Sequence, residues 1–342
     1  MRARPSSNPP NRFLHETVAR EEPRLAQVEL RDDATREILA HNGSPDVGFE
    51  WSVNPYRGCQ HACAYCYARP THEYLGLGAG TDFDTRIFVK RRAPELLREA
   101  FDRPSWRGDT VVFSGVTDPW QPAEADLRLT RGCLEVCLEY RNPVGVITKS
   151  ALIARDIDLL AALHRDARAS VAVSLPFLDP ALARAIEPWA AAPERRLEVI
   201  SRLAEAGLSP TVMVAPVVPG LDHEMPRVLE AARAAGAARA GWVLLRLPGA
   251  VRTVFEERIR AALPEAAPRI LHLVRETRGG RMYDARFGVR GRGEGPYAAA
   301  VAAVFDRTAR RLGYDLQERP DPERPTTFRR PRRDGQLMLP IG

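Results

Sequence analysis

NPYRGCQHACAYCYA, residues 54–68, carries three of the chain's five cysteines, Cys59, Cys63 and Cys66, spaced C-x3-C-x2-C. It overlaps the end of a short apolar run, WSVNP (51–55). In α/β barrels and open α/β sheets alike, reactive loops sit at the C-terminal ends of parallel strands. The fold therefore turns on whether 51–55 is the first strand of a series. Five more such runs follow: TVVFSGV (110–116), VGVITKS (144–150), SVAVSLPF (170–177), PTVMVAPVV (210–218) and GWVLLRL (241–247). Each is nearly continuous in apolar residues and bounded by turn residues, the mark of a strand buried on both faces.

Amphipathic patterns lie between and after the runs: APELLREAFD (93–102), LTRGCLEVCLEYR (129–141), IDLLAALHRD (157–166), PERRLEVISRLAEAG (193–207), MPRVLEAARAAG (225–236) and VFEERIRAAL (254–263). Leu197, Ile200 and Leu203 keep the spacing of a core-facing stripe. Gly207 and Gly236 stand where helix C-caps belong. Six strand–helix units in series predict a parallel sheet with right-handed crossovers. The expected fold class is α/β, a partial (β/α)6 TIM-type barrel with N-terminal and C-terminal extensions. A doubly wound open sheet has the same periodicity, and the pattern does not separate the two. The expected division is a disordered N-terminal tail at 1–25, a barrel core with its lead-in segment at 26–264, a helical extension at 265–315 and a basic irregular tail at 316–342. The lead-in at 26–50 reads as a short helix or a hairpin.

With 44% hydrophobic and 27% charged residues, the 342-residue chain supports a sizeable core and is not of disordered composition. No apolar run reaches the roughly 18 residues of a membrane span. The opening MRARPSSNPPNRFLHE lacks the apolar segment of a secretory signal. An odd, clustered set of cysteines points to thiol chemistry in a reducing compartment, and a cytoplasmic location is expected. Only Lys90 and Lys149 among fifty cationic residues are lysines. They stand out because a compact, rotatable ammonium does what a planar guanidinium does not. Net charge is +6, to which five arginines in RPTTFRRPRR (324–333) contribute most. That tail reads either as solvated or as a strip for a phosphate backbone.

Three readings of the cysteines compete. A structural zinc site needs four closed ligands, with His61 or His72 as the fourth, and the paired C-x2-C knuckles are missing. Core cysteines fit poorly beside Arg57, Gln60 and His61. A [4Fe–4S] cluster normally takes four thiolates. Three would leave one iron with an open position, the arrangement that marks catalytic metals.

The stretch resembles the cysteine signature of the radical S-adenosylmethionine (SAM) superfamily, C-x3-C-x-aromatic-C, with Tyr65 in the aromatic place. With SGVTDPWQPAE (114–124), VITKS (146–150) and VSLP (173–176), the wider NPYRGCxHxCxYCYAR motif resembles the spore photoproduct lyase-like branch over roughly residues 26–315. The resemblance implies a [4Fe–4S] cluster on Cys59, Cys63 and Cys66, with SAM at the open iron. It implies reductive cleavage of SAM to a 5′-deoxyadenosyl radical, which abstracts hydrogen from a bulky substrate. DNA, tRNA and protein are the candidate substrates, and a flavodoxin or ferredoxin is the expected electron donor. The rival is a non-catalytic zinc- or nucleic-acid-binding module.

By the same resemblance, Tyr65 meets the adenine through its backbone. Ser114, Gly115, Thr117 and Asp118 face the methionine amino end, Lys149 faces the carboxylate or ribose, and Ser174 binds the cofactor. Without the resemblance these residues are a turn, a strand-end cation and a packing residue. Tyr67 aligns with a hydrogen-relaying tyrosine, the one catalytic candidate; otherwise it is a ring packed over the cluster. The branch has a cysteine hydrogen donor where this chain has Val116, which puts the lyase reaction in doubt. Cys133 and Cys137, one helical turn apart, read as core. Tyr56, Arg57, Trp120 and Gln121 are expected to flank the pocket. Arg281, Arg286, Arg290 and Arg292 are expected to form a basic covering loop.

Overall fold

The six apolar runs form six strands: β1 (Trp51–Val53), β2 (Val111–Phe113), β3 (Val144–Thr148), β4 (Ala169–Ser174), β5 (Thr211–Val217) and β6 (Arg239–Leu244). All neighbouring pairs are parallel, and the order in space is the order in sequence. A doubly wound sheet reverses its strand order at a switch point. This sheet never does, so each crossover advances the winding in one sense and the architecture is a partial TIM-type barrel. Residues 4–5, 7–14, 25–316 and 325–331 are described by the computed structural model.

The crossover helices are α1 (Ala93–Asp102), α2 (Leu129–Glu139), α3 (Ile157–Asp166), α4 (Pro193–Glu205) and α5 (Met225–Ala234), and α6 (Val251–Ala262) follows β6. Alternate strand residues point outward. Val111, Phe113, Val144, Val146, Val171, Val173, Val212 and Val214 pack against Leu97, Leu134, Leu160, Ile200 and Leu229 of the helices. Cys133 and Cys137 lie in this core, fully buried as expected. The positions of opposite parity hold Gly145, Ser170, Ala172, Thr211 and Gly241. A Cβ on Gly145 would meet Val112 and Ser170, so these share the inner face. A closed eight-stranded barrel fills its interior with branched side chains. Here small residues share that face with Val112, Ile147 and Met213, and a Cβ on Gly241 would lie 2.7 Å from the Met213 sulfur.

Two elements of the lead-in are strands. Leu39–His41 pairs antiparallel with β1 at the sheet edge. Glu29–Asp32 pairs with Arg86–Val89, which pairs with Tyr56–Arg57 in a separate three-stranded sheet. The extension consists of α7 (Ala267–Glu276) and α8 (Gly295–Arg311). Most of the expected disordered tail at 1–25 lies outside the described residues. Its 7–14 stretch is hydrogen-bonded to the barrel: the Ser7 N–H donates to Thr81 Oγ1 (2.8 Å), and Asn11 Nδ2 donates to Leu77 O (2.9 Å). Among the described residues no helix is long and apolar enough to cross a membrane.

Candidate active site

The cysteine loop leaves β1 through Gly58, whose φ of +82° and close neighbours exclude any side chain. A Cβ there would lie 2.9 Å from Phe83 O and from the His72 ring. Two guanidiniums then hold the turn. Arg69 Nε donates to Cys63 O (3.1 Å), and Arg258 Nη1 donates to Ala62 O (2.8 Å). Both cations meet on Asp84, at 2.7 Å and 2.5 Å. On the other side Gln121, fully buried, joins the loop to the segment after β2. The Gln60 N–H donates to Gln121 Oε1 (3.0 Å), and Gln121 Nε2 donates to Gly58 O (3.1 Å). A third clasp comes from the excursion between β4 and α4, where Ala64 N–H donates to Ile186 O (2.9 Å) and Trp189 N–H to His61 O (3.2 Å).

These clasps place Cys59, Cys63 and Cys66 on one concave pocket at the C-terminal ends of β1, β2 and β3. Tyr65, Tyr67, Ser114, Gly115, Thr117, Asp118 and Lys149 line the same pocket, leaving Ser174 as the one predicted site residue outside it. All three thiols are free. Burial pushes each of them up, Cys63 to about 12 with the nearby Glu187 carboxylate adding to the effect. Thiolates at these positions require a strongly positive partner, which iron supplies. Among the described residues no three His, Cys, Asp or Glu side chains converge as ligands of a single ion. A cluster takes each thiolate at a different iron, so ligands that line a pocket without converging suit it. His72 is buried, with its Nε2 2.9 Å from Arg86 O and its ring against Phe83, and it does not line the pocket.

Two further features fit a missing ligand. Thr117 Oγ1 is buried on the pocket wall without a hydrogen-bond partner among the described residues. Lys149 Nζ has no carboxylate partner among the described residues: it donates to Ser174 Oγ (3.1 Å) and lies 5.6 Å from the centre of the Tyr65 ring. Ser114 and Gly115, at φ +152° and +105°, hold a backbone that side chains rarely adopt. The nearest obstacle to a Cβ on Gly115 is Ser52 Oγ at 3.9 Å.

Several expectations are corrected by this geometry. Asp118 is not open to an ammonium, because its oxygens accept from Trp120 N–H (3.0 Å), Thr148 Oγ1 (2.7 Å) and Lys149 N–H (2.7 Å), with His61 Nδ1 at 3.4 Å. Burial pushes its carboxyl up, but His61 and these donors outweigh it and hold the group near 2. It brackets the ends of β2 and β3. Ser174 accepts from Lys149 and donates to Ala215 O (2.8 Å), so it acts through the lysine. Tyr67 lines the pocket at its lip, 49% exposed, with the Arg246 guanidinium 5.6 Å from its ring centre.

Tyr56, Trp120 and Gln121 do not flank the pocket as open side chains. All three are fully buried: Tyr56 hydrogen-bonds Glu124, and Trp120 Nε1 donates to Asp156 (2.8 Å). Arg57 pairs with Asp33 (2.7 Å). The basic loop is largely neutralised. Arg286 binds Asp284 (2.6 Å) and Glu294 (2.9 Å), Arg290 binds Asp46, and Arg292 lies over Trp242 at 4.6 Å.

Sequence reading missed the network behind Tyr65. The Tyr65 hydroxyl donates to Glu187, Glu187 pairs with Arg196, and Arg196 Nη1 donates to Ser174 O (3.0 Å). Glu187 and Arg196 are both buried. Burial pushes the Glu187 carboxyl up, yet Arg196 and Lys149 outweigh it and the net shift is downward. Its one signal in the sequence is a lone acid in IEPW (186–189), which no periodicity distinguishes.

Comparison with known proteins agrees with the geometry. The family model of the radical SAM superfamily matches residues 53–232. An uncharacterized protein of Mycobacterium bovis is 41% identical over 230 residues, 66% of this chain and 68% of the relative. One from Methanocaldococcus jannaschii is 29% identical over 174 residues, 51% of this chain and 62% of the relative. Among solved structures, spore photoproduct lyase complexed with dinucleoside spore photoproduct is similar in fold, with a TM-score of 0.57 and 15% identity over 85% of this chain and 82% of that one. A mutant of the same enzyme with bound AdoMet and dinucleoside spore photoproduct gives a TM-score of 0.53 at 15% identity, with the same coverage.

Proposed function

Because the chain belongs to the radical SAM superfamily, we propose that it uses a [4Fe–4S] cluster on Cys59, Cys63 and Cys66 to act on a bulky substrate, a nucleic acid. When bound, the cluster supplies the electron that cleaves SAM and so generates the hydrogen-abstracting radical. The chain's own residues do the rest. Three thiols hold the metal and leave one position for the cofactor. Thr117 Oγ1, without a hydrogen-bond partner among the described residues, and Lys149 Nζ, held only by Ser174, take the cofactor's methionine end. Glu187 and Arg196 fix Tyr65 beside it. An external one-electron donor, a flavodoxin or ferredoxin, completes the proposal.

The observation that carries this reading is the meeting of three free thiols, an orphaned hydroxyl and a lysine without a carboxylate on one pocket. The half-exposed Tyr67 at the lip supports a large, ring-bearing substrate. Val116 stands where the branch has its thiol donor, and Cys133 and Cys137 are sealed in the core. Hydrogen return from a cysteine is therefore not part of the proposal. Anaerobically reconstituted protein should bind about four irons per chain. With dithionite it should release 5′-deoxyadenosine from SAM, faster with ultraviolet-irradiated oligonucleotide than with intact oligonucleotide, tRNA or protein extract. Colourless protein with one zinc would overturn the cluster. Stimulation by protein extract alone would overturn the nucleic-acid substrate.

A further inference from the structure

We propose that Arg246 and Tyr67 form an anion-binding lip of the pocket, at which a phosphate of the substrate docks beside a stacked base. The proposal rests on the nucleic-acid reading above.

Around the upper end of the barrel most guanidiniums already have partners. Arg69 and Arg258 share Asp84, Arg196 holds Glu187, Arg290 holds Asp46, and Arg278 donates to the carbonyls of Leu245, Val289 and Arg290 at 2.8–2.9 Å. Arg246, two residues beyond the end of β6, differs. Its Nε is buried with no hydrogen-bond partner among the described residues. Its guanidinium carbon lies 5.6 Å from the centre of the Tyr67 ring, and at longer range the charge acts on Asp46 and Arg278. Asp46 is the nearby acid, and it is engaged by Arg290 and by the Gly288 N–H at 2.7 Å. A buried donor without an acceptor is unfavourable. A planar fork of N–H groups suits a phosphate, which it can bind in bidentate fashion.

Tyr67 shows why the ligand is a nucleotide strand. Its ring lines the cofactor pocket, is 49% exposed, and has the cation beside it. An open aromatic face next to a guanidinium with no ion-pair partner among the described residues is an arrangement that stacks a base while holding its phosphate. Lys149, which lines the pocket itself, also has no carboxylate partner among the described residues and lies against Tyr65 and Ser174. The two cations thus serve two anions: Lys149 the cofactor's carboxylate, Arg246 the substrate.

The test uses anaerobically reconstituted full-length protein with SAM and a fluorescein-labelled thymidine octanucleotide as probe. Arg246→Ala should weaken octanucleotide binding about tenfold and flatten its salt dependence by close to one phosphate contact. Arg246→Lys should recover part of the affinity, since it restores charge but not the fork. SAM affinity, measured separately, should change less than about twofold, and both variants should keep the wild-type melting temperature and iron content. Unchanged octanucleotide affinity in Arg246→Ala would overturn the proposal. So would a loss confined to SAM affinity, or wild-type protein that binds a glutamate-rich peptide and not the octanucleotide. Wild-type protein that cleaves SAM while Arg246→Ala binds like wild type would sink this inference alone. Protein that cleaves no SAM sinks the functional reading itself.

Discussion

The two ends of the barrel are closed by different chemistry. At the N-terminal ends of the strands, residues 325–331 lie across the loops that enter β2, β3 and β4. Thr326 Oγ1 donates to Gly108 O (2.6 Å), Thr327 Oγ1 to Arg141 O and Ala167 O (both 2.9 Å), and Arg330 to the carbonyls of Phe101, Arg103 and Trp106. Phe328 packs on Phe101 and stacks on Tyr140. At the C-terminal ends, closure comes from buried ion pairs, Arg69–Asp84 and Arg196–Glu187. There, among the described residues, Thr117 Oγ1 and Arg246 Nε have no hydrogen-bond partner and Lys149 has no carboxylate. One end uses its polar groups to finish the fold. The other holds a loop rigid and leaves polar groups over, which is where a ligand is to be sought. The comparison also reassigns part of the basic tail. The stretch 324–333, read in sequence as either solvated or a strip for a phosphate backbone, is over its described residues a strap on the end opposite the pocket, while Arg324, Arg332 and Arg333 lie outside the described residues.

Substitutions can break this contrast, and the largest effect is expected at the upper end. Cys63→Ala should abolish iron uptake and 5′-deoxyadenosine release. It should lower thermal stability only by what a small buried side chain contributes, about 1 kcal/mol, read by calorimetry beside the iron assay. Global unfolding of this variant would make the cluster a structural element and erase the distinction between the ends. Glu187→Gln comes next. It leaves the Arg196 charge buried without its counter-ion, and breaking such a pair costs roughly 3–5 kcal/mol. Urea unfolding should register that loss, and the cluster's spectrum should change with it because the Tyr65 hydroxyl loses its carboxylate acceptor. The smallest effect belongs to the strap. Phe328→Ala removes a partly exposed ring, worth about 1–2 kcal/mol, and should leave SAM binding and the cluster spectrum as in wild type. A spectral change in this variant would show that the two ends are coupled through the barrel.

Sequence reading found the strands and helices because each has a period of its own. The pattern APELLREAFD coincides with α1, and IDLLAALHRD with α3. It missed Arg86–Val89, four residues beside KRR whose partners Glu29–Asp32 and Tyr56–Arg57 lie far away in the chain. It also missed the short helix Pro180–Ile186, whose last residue holds the cysteine loop through its carbonyl. The misreading of Asp118 has a plain cause. A carboxylate at a strand end looks the same in sequence whether it faces a cofactor or the neighbouring strand, and three donors from that neighbourhood decide the matter.

The chain by itself determined the unit count, the three clustered cysteines and their place after the first strand, because side-chain period and cysteine spacing are local properties carried by consecutive residues. It did not determine the sense of winding, which needed the order of strands in space. Nor did it determine which polar residues stay free for a ligand. Whether a hydroxyl, carboxylate or guanidinium is satisfied depends on partners tens to hundreds of positions away, such as Glu187 for Tyr65 or Asp84 for Arg258. Tertiary packing alone brings those partners within hydrogen-bond reach.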